Sequence, residues 1–309
     1  MIYTVTLNPA IDKTVYVDRF TIDAVNRATK VRQDPGGKGI NVSKTIRALG
    51  GTSTAFAIVG GATGALIASS LDKLGISKQV FEGLGSTRTN TKIVDLALGT
   101  YTDVNEPGAS VTQSLLDDAL AILALQVSPG DIVVLSGSLP VGAPTNTYAT
   151  WARACRKAGA RVFLDADGEV LKAGLAAKPE LVKPNEVELG RMLGRELDTT
   201  DKIVEAAREL QDQGISQVMV SMGGEGAVYV TAAGAWRLRQ PAVEVVSTVG
   251  AGDSVVAALA YALDAGMEPI DAARLAMATG AATVMRPGTE PARREDIDAL
   301  LPQVDVEEL

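Results

Sequence analysis

Short β-branched runs alternate with helix-length stretches along most of this chain, and few architectures accommodate that rhythm. Strands are expected at Thr54–Val59, Ile132–Ser136, Arg161–Asp165, Leu181–Lys183 and Gln217–Ser221. Between and around them, Asn41–Leu49, Thr63–Leu74, Gln113–Leu125, Asn146–Ala158, Val187–Leu193, Lys202–Gln213, Asp253–Ala265 and Ile270–Thr283 read as helices. Parallel strands need long crossovers, usually helical, so the alternation predicts βαβ units around a largely parallel central sheet. With 309 residues, 46% of them hydrophobic, the chain has material for one large α/β core.

Two stretches depart from this pattern. Lys13–Phe20 alternates apolar and polar residues, and Thr89–Asn105 does so on both sides of Gly99. Period-two alternation marks antiparallel strands wet on one face. They read as a small sheet inserted into the α/β body, at about residues 11–34 and 87–107; a plain edge hairpin would show the same pattern. Val243–Val246 reads as a further strand and Asp305–Leu309 as an acidic tail. The uncharged run Ala48–Leu71 is interrupted by Gly50-Gly51 and Gly60-Gly61, which favours turn, buried strand and helix over a membrane span. Met1–Phe20 lacks the pattern of an export signal, since Asn8, Asp12 and Lys13 break it early.

Composition narrows the chemistry. The chain contains no histidine, which removes Ser-His-Asp and Cys-His mechanisms and histidine-ligated zinc. Its one cysteine, Cys155, excludes an intrachain disulfide and fits a reducing cytoplasm. Acid–base work near neutral pH then falls to carboxylate, lysine, tyrosine or water, and a metal would take oxygen ligands. A net charge of −8 argues against a broad nucleic-acid or anionic-membrane surface, yet a few local cations can still hold a small anion.

The segment Gly250-Ala251-Gly252-Asp253 places small residues ahead of a strongly apolar helix. A helix N-terminus offers unpaired N–H groups and a favourable dipole, and small residues let a phosphate approach them. The result is an anion hole with a carboxylate at its mouth, although Asp is also a preferred N-cap. No Walker loop occurs in the chain. Asn185 and Glu188 share one face at the start of a helix, as either a site pair or a cap with a first-turn charge. The glycines of Ser221-Met-Gly223-Gly-Glu-Gly226 allow a nucleotide to pass close, or simply make a hairpin turn. Asp12 lies just beyond the first strand, at the sheet edge where α/β ligands bind, and equally suits a turn. Lys38, Arg88 and Lys92 are three cations suited to an acceptor phosphate, if they are not merely solvated.

Taken together, Gly36-Gly37-Lys38-Gly-Ile-Asn41, Lys183-Pro-Asn185-Glu-Val-Glu188 and Gly250-Ala-Gly-Asp253 resemble the ribokinase-type sugar kinases of the phosphofructokinase B group, in order and across essentially the whole chain. Arg88-Thr-Asn90-Thr-Lys92, Asn105-Glu-Pro-Gly108 and Ser136-Gly-Ser138-Leu-Pro140 resemble the branch containing 1-phosphofructokinases and tagatose-6-phosphate kinases. The resemblance implies one ribokinase-like domain, a three-layer α/β/α sandwich whose inserted strands form a lid. It implies ATP-dependent phosphorylation of a phosphorylated ketohexose, with fructose 1-phosphate first. Kinases of tagatose 6-phosphate or fructose 6-phosphate would share the site plan, and a non-catalytic nucleotide-binding regulator would keep the fold.

The same resemblance makes Asp253 the base and Gly250, Ala251 and Gly252 the anion hole. It puts Asp12, Gly37, Lys38, Asn41, Arg88, Lys92 and Ser138 on the sugar, and Lys183, Asn185, Ser221, Gly223 and Gly226 on ATP. Glu188 would act on Mg2+ through water, and 278–283 would border the adenine. A monovalent cation held by backbone oxygens would leave no side-chain signature. A homodimer paired through the lid is also implied, with no nucleic acid or membrane partner.

Overall fold

The computed structural model describes all residues, 1–309. In the first half of the chain, β1 (Ile2–Thr6), β2 (Ala10–Val17) and β3 (Ala28–Gly36) lead into α1 (Lys38–Ala48). They are followed by β4 (Ser53–Val59), α2 (Gly61–Lys73), β5 (Ser77–Glu82), β6 (Arg88–Asp95), β7 (Thr100–Asn105), α3 (Gln113–Gln126) and β8 (Ile132–Ser136). Next come α4 (Thr147–Lys157), β9 (Arg161–Asp165), α5 (Gly168–Leu175), β10 (Leu181–Val182), α6 (Glu186–Leu193), α7 (Thr200–Asp212) and β11 (Gln217–Ser221). The chain closes with β12 (Ala227–Thr231), β13 (Gly234–Arg239), α8 (Ala251–Asp264), α9 (Pro269–Val284), α10 (Arg294–Leu300) and β14 (Asp305–Glu308).

The main sheet has ten strands in the order β14-β13-β12-β11-β10-β9-β8-β1-β4-β5. From β5 to β11 every neighbouring pair is parallel, and β12, β13 and β14 add on antiparallel. Its parallel strands are apolar without interruption because both faces are covered. Tyr3, Val5, Val133 and Leu135 pack on one side with residues of α3, α4 and α7, while Ile2, Ile132 and Val134 pack on the other with α1, α8 and α9. The expected three-layer sandwich is therefore present.

The inserted strands form a separate four-stranded sheet, β3-β2-β6-β7. Its outer pairs are antiparallel as expected, but the central pair, β2 with β6, is parallel from Ala10↔Arg88 to Val17↔Asp95. Both strands leave the same edge of the main sheet, one after β1 and one after β5, so they run outward together.

Three further expectations need correction. Val243–Val246 makes no strand: Val246 and Ser247 both donate backbone N–H groups to Val284 O, and Val245 and Val246 are exposed. Asp305–Leu309 is no free tail, because β14 zips along β13 and Arg239 bridges to Asp305 and Glu307 at 3.0 and 2.8 Å. Asp253 is not an N-cap. Gly250 takes that position with φ 81°, a conformation open to glycine, and Asp253 becomes the third residue of α8. Strands β5 and β13 and helices α5 and α10 carried no sequence signal strong enough to be expected.

Candidate active site

The site is built where parallel strands end. The turn at Gly250 sends the chain into α8, whose first N–H groups have no partner within the helix. A Cβ on Gly252 would stand 3.2 Å from Lys183 Nζ, so the glycine leaves room between the helix start and that ammonium.

Asp253 is buried, 7% exposed, and its Oδ2 accepts a hydrogen bond from Asn41 Nδ2 at 2.8 Å. Burial pushes its carboxyl up to about 6 and the nearby Asp165 charge adds to that, against the pull of Lys38, Asn41 and Lys183. A carboxylate poised so near neutrality is a better proton acceptor than an ordinary aspartate.

Asp165, which ends β9, was not among the expected site residues. Its Oδ1 lies 3.1 Å from Lys38 Nζ and 3.7 Å from Lys183 Nζ, while its Oδ2 is buried without a partner. Burial disfavours its charge, but the two ammonium groups prevail and hold it below the usual carboxylate value. The same pairing holds Lys38 firmly protonated in spite of its own burial, with Asp253 contributing. An acid directly after the apolar run Val162–Leu164, at the edge where ligands bind, was the available signal.

A cleft of about 590 Å³ brings Lys38, Lys183, Asn185, Glu188, Ser221, Gly223 and Gly226 together with Ala251, Gly252, Asp253 and Asp165. Met277 and Gly280 of α9 line it too, so of the expected adenine border 278–283 only Gly280 reaches it, and Arg191 and Gln240 are additions. Asn185 and Glu188 form a reciprocal capping box: Asn185 Oδ1 accepts from Glu188 N at 2.7 Å and Glu188 Oε2 from Asn185 N at 2.9 Å. The cap and the cleft wall are thus the same pair, and the two sequence alternatives for it coexist. No group of three acidic side chains stands ready for a metal. Mg2+ commonly binds through one or two carboxylates, water and substrate phosphates, and the buried free oxygen of Asp165, which lines the same cleft as Glu188, fits that mode.

On the side of the four-stranded sheet, Asn90 Nδ2 donates to Asp12 Oδ1 at 3.1 Å, within a smaller cavity of about 230 Å³ that also holds Lys92, Asp34, Val249 and Gly288. Burial raises the Asp12 carboxyl, opposed by Asn90, Lys44 and Arg88. Gly36 sits between Asp12 and Asn41, where a Cβ would lie 3.1 Å from Asp12 Oδ2 and 3.0 Å from Asn41 Oδ1. Gly37, at φ 116°, packs against Thr6 and Pro9 with no room for a side chain. Arg88 Nη2 donates to Asn8 O and to Ser138 Oγ, each at 3.2 Å, and its Nε is buried without a partner. Asn8, the partner of both, was quoted in the sequence without a role.

The three cations do not converge as expected. Lys38, at the start of α1, turns to the buried Asp165 because an uncompensated internal carboxylate is costly. Lys92 lies opposite Asp103 across the β6–β7 pair, 3.0 Å from its Oδ1, and 3.8 Å from the centre of the Tyr101 ring. Of the three, Arg88 alone stands beside Ser138.

The model of the pfkB family of carbohydrate kinases matches residues 5–296. The chain is 44% identical to a 1-phosphofructokinase of Rhodobacter capsulatus, covering 90% of this chain and 88% of that protein. It is 38% identical over the full length of both chains to a 1-phosphofructokinase of Bacillus subtilis. Among solved structures, phosphofructokinase-2 of Escherichia coli in complex with substrates and products superposes with a TM-score of 0.93 at 34% identity, over 98% of each chain. That enzyme is also known in complex with potassium (TM-score 0.92, 34% identity, 98% of each chain) and in a tetrameric inhibited form (TM-score 0.91, 33% identity, 98% of each chain). This chain accordingly belongs to the pfkB family of carbohydrate kinases.

Proposed function

We propose that this chain transfers the γ-phosphoryl group of ATP to the 6-hydroxyl of fructose 1-phosphate, yielding fructose 1,6-bisphosphate. The observation that carries the reading is Asp253: a buried carboxylate raised toward neutrality, in the first turn of α8 and hydrogen bonded to Asn41. It takes the proton as the acceptor oxygen attacks the γ-phosphorus, and the bond to the ADP oxygen breaks. The N–H groups following Gly250 face the charge on the phosphoryl group in flight.

Lys38 and Lys183, shared by Asp165, lie on the phosphate path, which moves Lys38 from the acceptor's phosphate to the transferred one. Ser221, Gly223 and Gly226 border the nucleotide. Asp12, Gly37 and Asn41 orient sugar hydroxyls, while Arg88 and Ser138 hold the existing phosphate, with Lys92 at the rim. Mg2+ would be held by Glu188 through water, with Asp165 nearby, and would neutralise charge on the ATP phosphates. Preference for fructose 1-phosphate is supported by the two 1-phosphofructokinases to which the chain is similar.

A potassium requirement, a cytoplasmic setting and a homodimer joined through the lid complete the proposal. No helix is long and apolar enough to cross a membrane. The lid exposes Val31, Tyr101 and Val104, apolar surface that a second lid would cover. An ATP-coupled assay across fructose 1-phosphate, fructose 6-phosphate, tagatose 6-phosphate and fructose tests the acceptor. The highest kcat/KM is expected with fructose 1-phosphate. Preference for another phosphorylated ketose would reassign the substrate, and activity with fructose alone would overturn the phosphate-holding role of Arg88.

A further inference from the structure

A continuous set of contacts joins the lid to the anion hole, and the transfer chemistry makes no use of it. Arg32, on lid strand β3, grips Asp34 with two nitrogens, Nε to Oδ2 at 2.6 Å and Nη2 to Oδ1 at 2.8 Å. The same Nη2 stands 3.6 Å from Glu290 Oε2, and Glu290 is itself paired with Arg286. Residues 286–290 lie in the loop between α9 and α10, and this loop is pressed against the lid. A Cβ on Gly288, which has φ 62°, would collide with Asp34 and lie 2.8 Å from Arg32 Nε.

The other side of that loop reaches the catalytic turn. Ser247 Oγ donates to Gly288 O at 3.3 Å and accepts from Val249 N at 3.3 Å, one residue before the Gly250 turn. Val249 and Gly288 also line the acceptor cavity beside Asp12 and Asn90. Direct contacts therefore link β3, through this loop, to the residues just ahead of α8.

We propose that Arg32 and Glu290 are positioning residues that latch the lid to the loop supporting the anion hole, so that the N–H groups ahead of Asp253 take their working geometry only with the lid docked. The latch ties phosphoryl transfer to a covered acceptor. Partly exposed ion pairs add little to global stability, so its purpose is geometric and its removal leaves the fold intact. The inference rests on the kinase reading given above, but one arm of its test does not depend on turnover.

Amide hydrogen exchange of the unliganded enzyme provides that arm. In Arg32→Ala, protection should fall in β3 and also in residues 247–252, with β1 and β4 unchanged. Loosening of β3 alone overturns the coupling, and a uniform loss across the ten-stranded sheet would mark general destabilisation and overturn it as well. In steady-state kinetics the same variant should lose roughly tenfold in kcat, equivalent to about 1.4 kcal/mol, with KM for ATP unchanged.

Arg32→Lys should restore only part of this loss, since an ammonium cannot reproduce the two-pronged grip. Combining Arg32→Ala with Glu290→Gln should cost no more than the single changes, because both break one latch. Additive losses, or an effect on acceptor KM alone, would refute the proposal. Failure of the base assignment would be seen separately, as turnover retained in Asp253→Asn.

Discussion

Replacing Asp253 with Asn should remove most turnover and make the protein more stable. The substitution keeps the shape of the side chain, and the amide oxygen can still accept from Asn41 Nδ2. What disappears is the cost of an ionised carboxylate in a buried site. Its folded-state value of about 6, against 3.8 for the free group, spans roughly two pH units at 1.36 kcal/mol each. The charged form therefore costs up to about 3 kcal/mol at pH 7.5, a large share of a typical 5–15 kcal/mol of net stability. The raised value means that the native state binds the proton more tightly than the unfolded chain does. Stability is thus lost as pH rises from near 4 to near 6, and the loss is complete above that window. Urea unfolding of both proteins from pH 4 to pH 7.5 should show curves that converge at the acid end and separate to the full difference by pH 7. Turnover should fall by a factor of about 10² to 10⁴. An Asn variant less stable at pH 7.5, or a stability difference flat with pH, would refute the reasoning.

The same carboxyl should place an acid limb near pH 6 in kcat/KM for the acceptor, absent from ATP binding measured by titration. Arg88→Ala should raise KM for the sugar phosphate roughly 10- to 100-fold, as expected for lost charge-assisted hydrogen bonds, whereas Lys38→Met should act mainly on kcat. Identical kinetic signatures for the two variants would contradict their separation in the structure. Glu188→Gln preserves the capping box, because glutamine also serves at that position, so thermal stability should hold while the Mg2+ concentration for half-maximal rate rises. A loss of stability with unchanged Mg2+ dependence would leave the residue as a cap alone.

Element type was legible wherever packing reinforced local pattern. Ile132–Ser136 and Gln217–Ser221 are buried or nearly so along their length, and their β-branched runs match the observed strands residue for residue. Elements whose stability comes from their neighbours were not legible. β14 is four mostly exposed residues held by a ladder to β13 and by Arg239. Conversely, the valines at 243, 245 and 246 have strong β preference but no strand beside them, and they remain a loop.

The residue types available for chemistry follow from the sequence: a chain without histidine leaves acid–base work to carboxylate, lysine, tyrosine or water, and glycines at 250 and 252 ahead of an apolar helix marked a place where an anion could be received. The protonation state that each buried carboxylate takes depended on tertiary contacts. Asp253 acquires its raised affinity for a proton from burial and from Asp165, 88 residues earlier in the chain, and Lys38 is drawn from the expected acceptor side by that same aspartate. Short-range pattern reports backbone preference and amphipathic faces, whereas the charge of a buried group is set by desolvation and by neighbours that only the folded chain brings within a few ångströms.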